Sequence, residues 1–156
     1  MNDSQFMKCA IDAAGKGILR GQTPFGACIV KDGNVIVSAH NRVWESRDIT
    51  AHAEVVAIRK ACRILDSIHL EGCSIYSTCE PCPMCFSAIH WARVDRIVFG
   101  ASIEDAEMAG FNELPISNET LKDLGQGSVQ IVSGCLREEC RALFTSWKAS
   151  GNYRAY

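Results

Sequence analysis

Two stretches of this chain, TAHAEV (Thr50 to Val55) and CEPCPMC (Cys79 to Cys85), are dense in groups that bind metal or move protons. Cys82 and Cys85 are three apart at the start of a predicted helix, Pro83 to Arg93, so their sulfurs share one face. The free amides and positive end of a helix start favour thiolates there. Pro81 and Pro83 restrict the backbone on either side of Cys82. Two thiolates make half of a tetrahedral zinc site. His52 opens a second predicted helix, Ala51 to Leu65, with Thr50 as its N-cap, and supplies a third ligand. Glu54 points in another direction round that helix and stays off the metal, beside a water in the fourth position. Three protein ligands and an open corner bring a zinc-bound water to a pKa of about 7.

Each piece alone is ambiguous. A bare Cys-x-x-Cys is redox-active in some proteins and half of a structural zinc site in others. Cys79 extends it to Cys-x-x-Cys-x-x-Cys, like part of an iron–sulfur run, but Ile89 and His90 stand where a fourth cysteine would fall. Cys79 therefore reads as structural or as a neighbour of the site, not as a ligand. A lone His-x-Glu is usually surface chemistry. His-Ala-Glu followed by Pro-Cys-x-x-Cys is far more specific: it is the pattern of zinc deaminases that act on nucleobases.

These residues need a scaffold. A helix over Ser4 to Arg20 is followed by TPFGACIV and VIVSAH, two strands joined through Asp32-Gly33. Asn41 to Thr50 reads as a loop. The Ala51 helix has Val55, Ile58, Cys62 and Leu65 as its expected core stripe. CSIYST, RIVFGA and SVQIVSG are further strands, and Leu136, Cys140, Leu143, Phe144 and Trp147 mark a C-terminal helix. Strands alternating with helices predict α/β layers, and the opening hairpin argues against an all-parallel sheet. At 156 residues the chain reads as one domain, 1–156. A domain of that size buries about 68–70% of its unfolded surface and needs no metal merely to fold.

A net charge of −2 without a basic run leans toward a small-molecule partner rather than nucleic acid. No run approaches the length of a membrane span. Nine cysteines, an odd number, and an N-terminus without a secretory signal predict a cytoplasmic protein with reduced thiols.

The chain resembles the cytidine-deaminase-like superfamily, and within it the small bacterial guanine deaminases. The resemblance rests on PFGACIVKDG, TAHAEVVAIRKAC, STCEPCPMCFSAIHWAR, EDAEMAGFNE and a tail ending in tyrosine. It implies a three-layer α/β/α sandwich with a five-stranded mixed sheet, one Zn²⁺ per chain, a nucleobase substrate (guanine giving xanthine and ammonia) and a homodimer. It also implies that the C-terminal segment, with Tyr153 and Tyr156, crosses to the partner and covers its site; a frayed tail is the ordinary alternative. The chain departs from the family at Asp48-Ile49-Thr50, at Asn112-Glu113, where Glu113 reaches farther than the usual aspartate, and at Ala155, where an acid is usual.

Several residues are candidates for holding substrate. Phe25 either stacks on a flat ring or is a core aromatic. Gly26 admits a close backbone or is a plain strand glycine. Asn41 can donate to and accept from a base edge, or serve a turn. Trp91 either walls the pocket or belongs to the core. Asp105, Glu107 and Glu113 read as a solvated acidic face, unless one of them approaches a base rich in N–H donors. Three rivals stay open: a tRNA adenosine deaminase, a deaminase of another base or nucleoside (cytosine, isocytosine, guanosine), and a zinc module without catalysis.

Overall fold

Asn2 starts the first helix by a reciprocal cap: its side chain accepts from Gln5 N at 3.1 Å and the Gln5 side chain accepts from Asn2 N at 2.8 Å. The computed structural model describes residues 1–151 and 153–156. Helix α1 (Asp3–Leu19) buries Phe6, Met7, Ala10, Ala13 and Ala14 against the sheet. The hairpin follows as expected, with β1 (Gly26–Lys31) and β2 (Asn34–His40) joined by Asp32 and Gly33, both at positive φ. Gly26 does admit a close backbone, but that of α1: a Cβ there would run into the Ala10 carbonyl.

Then come α2 (Val43–Ser46), α3 (Ala53–Ile64), β3 (Cys73–Cys79), α4 (Pro83–Trp91), β4 (Arg96–Ala101), α5 (Ile103–Ala109), α6 (Asn118–Leu124), β5 (Gln130–Val132) and α7 (Arg137–Ala149). The strand order is β2-β1-β3-β4-β5. β1 is antiparallel to both its neighbours, and β3, β4 and β5 are parallel, so the five-stranded sheet is mixed. Alternation along β1 sends Ala27 and Ile29 to a core shared with α3 and α4. It sends Cys28 and Val30 to a core shared with α1 and α7. The three-layer expectation is met. No helix among the described residues is long and apolar enough to cross a membrane.

Four local expectations change. The stretch Asn41 to Thr50 is not all loop, because the short helix α2 occupies Val43–Ser46. The N-cap of α3 is His52, not Thr50, whose hydroxyl bonds the Asp48 carboxylate at 2.6 Å instead. The stripe of α3 against the sheet is Ala53, Val56, Ala57 and Ala61, while Val55, Ile58, Cys62 and Leu65 are only half-buried. Small residues four apart let α3 lie close to the strands, and the larger side chains splay to its flanks. Asp105 is not part of a solvated face: it is 4% exposed, caps α5 through Ser102 N at 2.9 Å, and pairs with Arg137 and Arg141.

Candidate active site and metal centre

The topology brings both sequence stretches to one end of the sheet. β3 ends at Cys79, and the parallel pair β3–β4 opens its C-terminal edge there. β1 runs the other way, so Phe25 and Gly26 at its start lie at the same end, with Gly26 N donating to Thr78 Oγ1 at 3.0 Å. His52 and Cys82 are the N-caps of α3 and α4, both in extended conformation, and neither makes a side-chain cap. Their side chains turn instead toward each other.

His52 Nδ1 lies 3.6 Å from Cys82 Sγ and 3.6 Å from Cys85 Sγ. The three donor atoms all fall within 4.8 Å of one another. Tetrahedral zinc, with bonds of about 2.3 Å to sulfur and about 2.0–2.1 Å to nitrogen, separates S from N by about 3.6 Å. The donor set and its spacing therefore fit Zn²⁺. Cys85 is fully buried, and His52 and Cys82 are half-buried. Without metal, interaction with the Cys85 thiol, against burial, brings Cys82 down to about 4, with help from His52. The same interaction pushes Cys85 well up, and burial adds to it. Burial lowers the His52 pKa, but the Cys82 sulfur and Glu54 outweigh it and the net shift is upward.

Glu54 is 5% exposed and stands outside the trio of ligands. Its Oε1 accepts from Ser77 Oγ at 3.0 Å and its Oε2 from Cys85 Sγ at 3.5 Å. Burial raises its pKa, and a dication beside it would pull the other way. A cavity of about 20 Å³ is lined by Phe25, His52, Glu54, Cys79, Glu80, Cys82, Glu113 and Tyr156. That is room for about one water.

Of the substrate-contact candidates, Phe25, Asn41, Glu113 and Tyr156 gather here. Phe25 lines the cavity and also meets Phe111 and Phe144, with ring centroids at 4.8 and 5.8 Å, so it is wall and core together. Asn41 is fully buried: its Oδ1 accepts from Val43 N at 3.0 Å and its Nδ2 donates to Tyr156 Oη at 2.6 Å. The Tyr156 ring lies 5.5 Å from that of His52 in the same chain. Glu113 faces the cavity, where burial, with the Cys82 sulfur adding to it, pushes it up to about 7. The tail is pinned to α2, with the Arg154 guanidinium 3.8 Å over the Trp44 ring and Trp44 Nε1 donating to Arg154 O at 3.1 Å. Tyr153, by contrast, is 53% exposed and packs on Trp147.

Trp91 is the correction. It is 78% exposed and lies outside the cavity, beside His90 at the far end of α4. Six residues past Cys85 is about 240° further round a helix and about 9 Å along it, which carries the indole away from the ligands. Residues that the sequence reading passed over are Ser77 and Glu80. Ser77 had a findable signal: two residues before Cys79 on a strand, it shares that residue's face. Glu80 had none beyond its place between Cys79 and Pro81. Cys79 is a neighbour of the site, its Sγ donating to Ser102 O at 3.4 Å.

A three-layer sheet that presents an imidazole, two sulfurs and an unligated buried carboxylate at the ends of its parallel strands defines a zinc hydrolase centre of the deaminase kind. Residues 1–101 match the family described as cytidine and deoxycytidylate deaminase zinc-binding region, and the chain belongs to it. It is 41% identical to the guanine deaminase of Bacillus subtilis (strain 168) over 157 residues, covering 100% of each. It is 38% identical to that organism's tRNA-specific adenosine deaminase over 146 residues, covering 93% of this chain and 88% of the relative. The solved guanine deaminase of Nitrosomonas europaea superposes with a TM-score of 0.85 at 29% identity, covering 94% of this chain and 84% of that one.

Proposed function

We propose that the chain hydrolyses the amino group from a free nucleobase, and that guanine is the base: guanine and water give xanthine and ammonia. The observation that carries the reading is the Glu54 carboxylate, buried against Cys85 and Ser77 and facing the cavity beside the donor trio. Guanine comes from the full-length similarity to a guanine deaminase, supported by Glu113, an acceptor facing the cavity that suits a base with N–H donors.

When bound by His52, Cys82 and Cys85, Zn²⁺ supplies an acidified water and polarises the reaction site. Glu54 takes one proton from the attacking water and gives it to a ring nitrogen, then takes the second from the hydroxyl now on the ring carbon and gives it to the departing amine, so the C–N bond breaks, ammonia leaves and the carbonyl forms. Ser77 fixes one Glu54 oxygen, and the other, on the Cys85 side, is the one that moves protons. Phe25 walls the base, Glu113 accepts from its N–H edge, and Asn41 and Tyr156 hold and cover it. A purine does not fit in about 20 Å³, so a wall must withdraw before substrate enters. The C-terminal segment, held through α2 at the surface, is the wall that opens.

We further propose a homodimer. An open groove on the outer side of α3 and α4, lined by Val55, Ile58, Ile68 and Trp91, gives a second copy an apolar surface. Exchange of the C-terminal segments, as the resemblance implies, would remake the Asn41–Tyr156 contact between chains. Nine free cysteines suit a reducing cytoplasm.

The test is a panel of bases and nucleosides incubated with the zinc-loaded chain, with ammonia measured. Release from guanine above all others is expected. Release only from adenosine in a tRNA anticodon, with steeply salt-dependent RNA binding, would overturn the reading in favour of the second relative's activity.

A further inference from the structure

We propose that Asn118 is a positioning residue for the metal centre: with Glu80 it clamps the Pro81–Cys82 peptide and so presets the Cys82 sulfur for Zn²⁺. The proposal rests on the reading of His52, Cys82 and Cys85 as the ligands.

The three ligands are not held alike. Cys85 lies inside α4, where the helix itself fixes its backbone. Cys82 lies one residue before it, between Pro81 and Pro83. Neither proline has an N–H to donate, which leaves the Cys82 N–H as the segment's one backbone donor and its carbonyls as the main handles by which it is tied.

Those ties converge on Asn118, at the first position of α6. Asn118 Nδ2 donates to Pro81 O at 2.6 Å. Asn118 N donates to Glu80 Oε1 at 2.8 Å, while Ile103 N, at the start of α5, reaches Glu80 Oε2 at 3.4 Å. Glu80 N in turn donates to Ala101 O, at the end of β4, at 2.8 Å. The carbonyl gripped by Asn118 belongs to the peptide plane whose nitrogen is that of Cys82. Holding the oxygen fixes the plane, and with it the direction in which Cys82 leaves the chain.

Asn118 is fully buried, and its Oδ1 has no hydrogen-bond partner. An unsatisfied buried acceptor is costly, and a small apolar residue at this helix position would avoid it. The amide's orientation follows from the same fact: only with the nitrogen toward Pro81 O does the side chain gain a bond. What asparagine does here and alanine could not is hold that carbonyl.

The experiment compares three variants of the full chain, Asn118→Ala, the isosteric Asn118→Asp and Ser117→Ala. Ser117 caps the same helix through Thr120 N at 3.1 Å and makes no side-chain hydrogen bond to residues 80–82, so it reports on loosening of α6. Zn²⁺ affinity is read by competition with a chromogenic chelator, and ligand geometry by the visible spectrum of the Co²⁺-loaded chain. Both Asn118 variants are expected to weaken Zn²⁺ binding about 10–100-fold, as loss of a ligand's supporting contact does, and to shift the Co²⁺ bands. Ser117→Ala is expected to change neither. Zn²⁺ binding by both Asn118 variants equal to the parent's, or an equal loss in Ser117→Ala, would overturn the clamp. A parent chain that binds no Zn²⁺ would overturn the ligand set and the clamp with it.

Discussion

The side chain of Tyr156 is hydrogen-bonded to a fully buried asparagine: Tyr156 Oη sits 2.6 Å from Asn41 Nδ2. The two are 115 positions apart and meet beside the imidazole of His52. The relationship makes Tyr156 part of the cavity's wall. Burial pushes the Tyr156 phenol up, so it remains a neutral hydroxyl at working pH.

Tyr156→Phe keeps the ring against His52 but leaves the Asn41 amide short of a partner. A lost hydrogen bond of about 0.5–1.5 kcal/mol corresponds to about 2–10-fold in an equilibrium. The expected outcome is a KM raised by that factor with kcat less affected. Steady-state kinetics on guanine checks it, and an unchanged KM would separate the tail from substrate binding.

Glu54→Gln preserves size and the bond to Ser77 but removes proton transfer. Activity is expected to fall by at least about 10²–10⁴-fold, with one zinc per chain retained. Metal analysis alongside the ammonia assay checks both halves. A variant that deaminates at the parental rate would remove Glu54 from the mechanism.

Stripping zinc with a chelator is expected to abolish deamination and to leave far-UV circular dichroism nearly unchanged, because two cores on either face of the sheet carry the fold. The melting temperature is expected to fall, since a ligand that binds only the folded state stabilises it by mass action. Adding Zn²⁺ back restores both. Loss of secondary structure on chelation would make the metal structural instead.

Acid stability is expected to depend on Asp3. The Arg96 guanidinium, bonded at 2.7 Å, and the Tyr76 hydroxyl hold its carboxyl down at about 2, from an ordinary 3.8, against burial. A depressed carboxylate contributes fully above the unfolded value, and the contribution is lost as pH falls from about 4 toward 2. Urea midpoints of the parent and Asp3→Asn should differ by a constant amount above about pH 5 and converge below about pH 4. A gap that stays constant down to pH 2 would refute the pairing.

The sequence by itself pointed to the donor trio His52, Cys82 and Cys85 that the fold brings together, and to Glu54 beside it. Their spacing is local: Cys82 and Cys85 share a helix start, and His52 and Glu54 differ in direction because they straddle another. The hairpin at Asp32-Gly33 was legible because its turn needs positive φ at two adjacent residues. Other assignments depended on what packs against what. Thr50 lost the cap of α3 because Asp48, two residues earlier, offered its hydroxyl a closer partner. The Val55 stripe gave way to Ala53, Ala57 and Ala61 because small residues four apart let α3 lie close to the strands, and the larger side chains then splay to its flanks. Trp91 was drawn to the site by its motif and taken from it by helical rotation. Asn118 and Tyr156 reach the centre across contacts of 37 and 115 positions. No periodicity records such distances, because only the closed chain brings those atoms within bonding range.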